Sequence, residues 1–143
     1  MLANGAKLEF KSKTVTTYTK LKGLKEIPEI GVDPEKVENT DLDDTQKMYE
    51  MGIGDPGDIT YKFKYDNTAK DSPYRVLRAY EASGENLSFK ETLKDGTTTE
   101  FTGQVSVKRT GGGVNGVIEF DLNIALSSAF EITDPEIAIE RRN

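Results

Sequence analysis

The chain has 143 residues, the size of a single domain, and its 19 Lys and Arg against 25 Asp and Glu leave a net charge of −6. That sign argues against a groove-binding nucleic-acid protein, whose affinity comes from cations that neutralise phosphates. With no cysteine, histidine or tryptophan, the chain has no disulfide, no Ser-His-Asp or Cys-His arrangement, none of the commonest zinc or iron ligands, and no strong sugar-stacking ring.

No cofactor and no catalytic centre are expected from such a composition. No stretch approaches the ~20 apolar residues of a membrane helix, and MLANGAKLEFKSK at the start lacks the apolar region of a secretory signal. The expectation is a soluble protein made in the cytosol, without a membrane partner.

In chain order, residues 6–20 (AKLEFKSKTVTTYTK) alternate Leu8 and Phe10 with charged residues and read as one half-buried strand. Its lysines, with Lys22 and Lys25, make a locally basic face. Protection of an edge strand explains that face better than a binding patch; its asymmetry with the acids of 26–58 also fits head-to-tail association. Lys22-Gly23 reads as a turn, Pro28 in EIPEIG forbids a central strand, and Asp33-Pro34 predicts another turn. From Asp41 to Asp58 (DLDDTQKMYEMGIGDPGD) three glycines, a proline and five aspartates predict a long loop. Its apolar residues Met48, Tyr49, Met51 and Ile53 imply that this loop packs against something, either its own core or a partner.

ITYKFKYD places Ile59, Tyr61, Phe63 and Tyr65 on one face of a strand. The period then changes. Ser72 and Pro73 open a helix of about three turns with Tyr74, Val76, Leu77, Ala79 and Tyr80 on one stripe, and Gly84 closes it. Strands return in LSFKETL, the Asp95-Gly96 hairpin, EFTGQVSVK, and VIEFDLNIAL after the GGGVNG turn. FEITDPEIAIERRN is a terminal strand or an arm, broken at Asp134-Pro135. Five to seven strands with one inserted helix predict an α+β fold dominated by antiparallel sheet.

Two stretches match G-x-G-x-x-G, at 52–57 and 111–116. Neither precedes a helix, and Pro56 removes an amide that would hold phosphate, so turn-making glycines are the better account. Asp41, Asp43 and Asp44 lack the spacing of a calcium loop. They read as turn formers, with a weak surface calcium site completed by Asp55 and Asp58 as the alternative. No pair among the 25 acids stands out as a glycosidase pair.

The order EIPEIG, VENTDLDD, Tyr49-x-x-Gly52, DPGD and ITYKFKYD, then SPYRVLRAYEASG, an F-K-E hairpin and TGQVSVKRTGGGVNGVIEFDLNIALSSAFEIT, resembles the major tail (tail tube) proteins of long-tailed bacteriophages over about residues 24–133. The resemblance implies a mainly β fold: an antiparallel β-sandwich or barrel-like domain over 1–143, related to type VI secretion tube proteins, with a flanking helix at about 73–83. It implies a structural virion protein without enzymatic activity, made in the host bacterial cytoplasm. Copies would form hexameric rings stacked into the tail tube, through which DNA passes without specific binding, with the tape-measure protein and other tail proteins as partners. It also implies that the 41–58 loop is the ring-stacking element, carrying Asp41, Leu42, Met48, Tyr49, Met51, Ile53, Asp55, Pro56 and Gly57. Residues 1–6 and 127–143 would be arms reaching neighbours. Glu119, Asp121 and Asn123, on the polar face of the last long strand, are candidates to face the lumen. A monomeric β-sandwich that binds sugar or peptide is the alternative function; it predicts a concave site with clustered tyrosines.

Overall fold

Apolar residues at every second position give a strand one dry face, and here those faces are rolled onto one another. The computed structural model describes residues 1–136 except 32, 56 and 57. Among these the elements are β1 (Lys7–Lys11), β2 (Thr19–Lys20), β3 (Leu24–Glu26), β4 (Asp33–Glu38), β5 (Tyr49–Asp55), β6 (Asp58–Lys64), α1 (Pro73–Ser83), β7 (Leu87–Thr92), β8 (Thr98–Thr110), β9 (Glu119–Leu126) and β10 (Glu131–Thr133). The main sheet runs β2-β1-β7-β8-β9-β6-β3, with β10 also paired to β8; β4 and β5 form a separate two-stranded sheet. All pairings are antiparallel. The architecture is thus mainly β with one helix.

The dry face is an aromatic ladder. Phe10 lies opposite Phe89, Phe89 opposite Phe101, and Phe63 opposite Phe120. The Phe63 and Phe120 rings stack at 5.2 Å and those of Phe89 and Phe101 at 5.6 Å. Tyr61 on β6 stacks 6.4 Å from Phe101 on β8, and its hydroxyl donates to Glu91 Oε2 on β7 at 2.6 Å. β6 and β7 are three places apart in the sheet, about 14 Å on a flat surface at ~4.8 Å per strand. The sheet is therefore curled so that its two halves face each other. Leu77 of α1 is buried in the same core, with Tyr74, Val76 and Tyr80 packed beside it. The predicted helical stripe is correct apart from Ala79, which is exposed.

Gly103 sits where β8 runs close against β9. A Cβ there would lie 2.5 Å from the Ala125 carbonyl oxygen and 2.7 Å from Ile124 Cγ2. Gly84 adopts φ +70° and its N–H bonds the carbonyls of Tyr80 and Glu81, closing the helix as its sequence position predicts. At the opposite end Ser72 does not cap the helix with its side chain; its Oγ accepts from the Ala69 N–H at 3.0 Å instead.

Two expectations are corrected. Residues 6–20 are a hairpin rather than one strand: β1 ends at Lys11 and β2 returns with Lys20 opposite Glu9. The β-branched run Thr14–Thr17 is exposed, and strand propensity counts for little without a surface to pack on. At Asp33-Pro34 there is a strand in place of the predicted turn. Proline is tolerated because a two-stranded sheet leaves an open edge on each strand, and the register shifts between Pro34 and Lys36.

Candidate assembly surface

The segment expected as a long loop is largely a β-hairpin. Its second strand, β5, pairs Tyr49 with Glu38, Met51 with Lys36 and Asp55 with Asp33, so only residues 39–48 form the connection. Tyr49, Met51 and Ile53 recur at every second position, which is strand spacing. Pro56 and Gly57 lie outside the described residues.

The tip is shaped by its own polar groups. Asp41 Oδ1 accepts from the Asp43 N–H and Asp44 Oδ2 from the Asp41 N–H, both at 2.9 Å. The Met48 N–H donates to Thr40 Oγ1 at 2.9 Å, and Asn39 Nδ2 donates to Glu50 Oε1 at 2.7 Å. The aspartates thus act as turn formers.

What the hairpin exposes is unusual for a surface. Leu42 is fully exposed, Met51 66%, Tyr49 55%, Val37 50% and Met48 44%. Residues 33–55 hold eight acids against Lys36 and Lys47, so all six net negative charges of the chain fall within this hairpin and the remainder is neutral. The apolar residues of β5 are legible in the sequence, whereas Val37 and the strand β4 that carries it are not. Asp33, Pro34 and Glu35 are all poor strand formers, so local propensity gave no signal for it.

Glu119, Asp121 and Asn123 lie side by side on the outer, polar face of β9. Asp121 is flanked in register by Lys62 and Lys108, Glu119 by Lys64, and Asn123 by Thr60 and Ser106. Thr60 Oγ1 donates to Asn123 Oδ1 at 2.5 Å, and Lys25 Nζ reaches within 3.0 Å of Glu119 Oε2. The Glu119 pair is an ion pair off the line of a hydrogen bond, and Asp121 Oδ1 is likewise buried with no hydrogen-bond partner among the described residues. The face is a mixed band of lysines and acids.

The C-terminal segment, up to Thr133, is laid on its own sheet. The Ser127 N–H bonds the Thr102 carbonyl at 2.9 Å, Ser128 Oγ accepts from the Thr102 N–H at 2.8 Å, and β10 pairs with Thr98–Glu100. Residues 137–143 of the expected arm lie outside the described residues.

Concavities and titrating groups give little scope for chemistry. A cavity of about 410 Å³ has Phe10, Leu21 and Val76 on its floor and no tyrosine; another of about 310 Å³ holds Tyr18 alone among the tyrosines. Lys11 Nζ sits 4.7 Å from the Tyr18 ring centre, and partial burial with nearby Glu100, Glu9 and Glu131 raises the pKa of that phenol. Burial raises the pKa of the Glu91 carboxyl, against the opposing hydrogen bond from Tyr61. Burial and the adjacent Glu91 in turn raise that of Tyr61 far above the usual phenol value. Glu91 is 3% exposed, so this pair is a structural bond inside the core. Among the described residues no three acids are grouped to hold a metal ion.

The sequence matches the family described as phage tail tube, TTP, lambda-like, over residues 1–110. The chain belongs to that family and is a tail tube structural protein. In fold it is similar to a chain of the anti-feeding prophage baseplate in a six-fold symmetrised structure (TM-score 0.69, 8% identity, 94% of this chain and 95% of that one). It is also similar to a chain in the tail of an empty gene transfer agent particle refined with C6 symmetry (TM-score 0.68, 20% identity, 91% and 98%). A third similar chain belongs to the virion of a native gene transfer agent particle (TM-score 0.63, 20% identity, 88% and 95%). A search of curated protein sequences returns no match.

Proposed function

We propose that copies of this chain close into six-membered rings and stack into the tail tube of a virion. The tube is a conduit for DNA that neither binds it specifically nor acts as an enzyme, with the tape-measure protein and other tail proteins as partners and synthesis in the host cytoplasm. The observation that carries this reading is the β4–β5 hairpin: an isolated two-stranded sheet that exposes Leu42, Met48, Tyr49 and Met51. Two strands alone are marginal in water and gain stability by packing on another surface. Family membership and neighbours drawn from six-fold assemblies support the ring. The polar face of β9 remains the candidate lumen surface, and its paired lysines and acids would offer DNA neither a cationic grip nor a strong anionic barrier.

The test is electron microscopy and analytical ultracentrifugation of the concentrated protein across a range of salt. Rings or tubes of six-fold symmetry are expected. A monomer that persists at every concentration and ionic strength would overturn the reading.

A further inference from the structure

On the side of the fold where β2 turns into β3 and the chain enters α1, the 410 Å³ cavity opens under three lysines. Its floor is Phe10, Leu21 and Val76; Lys20, Lys22 and Lys64 stand on its rim. All three lysines are exposed, and none makes an ion pair among the described residues. Asp66 and Asp71 also line it, but Asp66 Oδ1 is engaged by the Thr68 N–H and hydroxyl at 3.1 and 2.7 Å. The cavity is thus apolar below, with three lysines against two aspartates, a net charge of +1, around its mouth.

Among the described residues, the β4–β5 hairpin combines exposed apolar side chains with the largest excess of acid. Its tip and the start of β5 present Met48, Tyr49 and Met51, exposed, close in the chain to Asp41, Asp43, Asp44 and Glu50. A cavity of this size is within the ~300–1,000 Å³ range of sites that take up apolar groups. Met48, Tyr49 and Met51 are exposed in their own subunit, so the occupant that fits is a second copy. Resting on the ring-and-tube reading, we propose that the hairpin of one subunit docks into the groove beneath Lys20, Lys22 and Lys64 of another. Its apolar residues cover Phe10, Leu21 and Val76, and its aspartates meet the lysines.

Such a contact joins two different patches, so it is heterologous and propagates rather than closing a pair. Opposed charges of this kind steer encounter and fix register, and salt screens them. The geometry also accounts for the concentration of all excess negative charge in residues 33–55 while the rest of the chain is neutral. The basic face noted near the N-terminus contributes Lys20 and Lys22 to this groove.

Charge reversal and cross-linking test it. K20E/K22E/K64E, and separately D41K/D43K/D44K, are expected to lower the assembled fraction in sedimentation at least tenfold; mixing the two variants is expected to restore contact between them. Circular dichroism and the melting temperature check that each remains folded. Because the chain has no cysteine, Met48→Cys and Lys22→Cys are unique thiols. Mixed and treated with a short bifunctional maleimide, they are expected to give a cross-linked pair of one copy of each, and much less product from either variant alone. If the unaltered protein forms tubes and the hairpin variants abolish them while the lysine reversals do not, the hairpin has another acceptor and this inference is overturned, although the tube reading stands. Absence of both tubes and the mixed cross-link overturns the two together.

Discussion

The curled sheet and the β4–β5 hairpin use the same backbone pairing and are held by opposite means. In the sheet every long strand turns an apolar face inward, and Phe10, Phe89, Phe101, Phe120, Phe63 and Tyr61 meet there in one core. The hairpin shows no such interior among the described residues: Val37, Leu42, Met48, Tyr49 and Met51 are exposed, and its strands touch mainly each other. The sheet is stabilised within the subunit. On the proposed reading the hairpin is completed by another subunit, which accounts for exposed methionines and a tyrosine in the stretch that carries the excess acid.

Mutations should separate the two regions by an order of magnitude in stability. Phe120→Ala removes a ring that stacks on Phe63 and lies 5.4 Å from Tyr74; urea unfolding is expected to show a loss of about 3–5 kcal/mol. Gly103→Ala pushes a methyl into the Ala125 carbonyl, with an expected loss of about 1–3 kcal/mol as β8 and β9 part. A variant as stable as the parent would mean that the strands can separate freely there.

Tyr61→Phe leaves the buried Glu91 without its donor, a loss of about 1–3 kcal/mol. The same pair carries a pH signature. Glu91 holds its proton more tightly in the folded state than at the ordinary glutamate value of 4.5. Its contribution is therefore fully present below about 4.5 and lost as pH rises through the higher folded value. Unfolding free energy measured against pH should fall across that window, and Glu91→Gln should flatten the fall.

The smallest stability change is expected in the hairpin. Replacing Met48, Tyr49 and Met51 by serine should leave unfolding free energy within about 0.5 kcal/mol, yet assembly measured by sedimentation should be lost. A large drop in melting temperature would place those residues in the subunit's own core and erase the contrast between the regions.

Local periodicity and punctuation were legible without coordinates. The alternation in ITYKFKYD, LSFKETL and VIEFDLNIAL marks β6, β7 and β9; the change of period after Ser72, with Pro73 and Gly84 at the ends, marks α1. The order of motifs also carried the family. Other features resisted because they depend on what lies opposite. Thr14–Thr17 has strand-forming residues but nothing to pack against, and Pro34 enters a strand because its partner leaves one edge open. Tyr49, Met51 and Ile53 had strand spacing, but the strand could not be read until Asp33–Glu38 was known to lie beside it.

The sequence by itself determined which residues alternate, where the helix begins and ends, and that the excess acid lies between Asp33 and Asp55, since these are properties of neighbours along the chain. Only the tertiary structure decided that the sheet curls until Tyr61 meets Glu91, that Glu119 and Asp121 stand among lysines, and that Lys20, Lys22 and Lys64 surround one apolar hollow. Residues 20 and 64 are distant in the chain, and only the closure of the sheet, driven by burial of its aromatic face, brings them together.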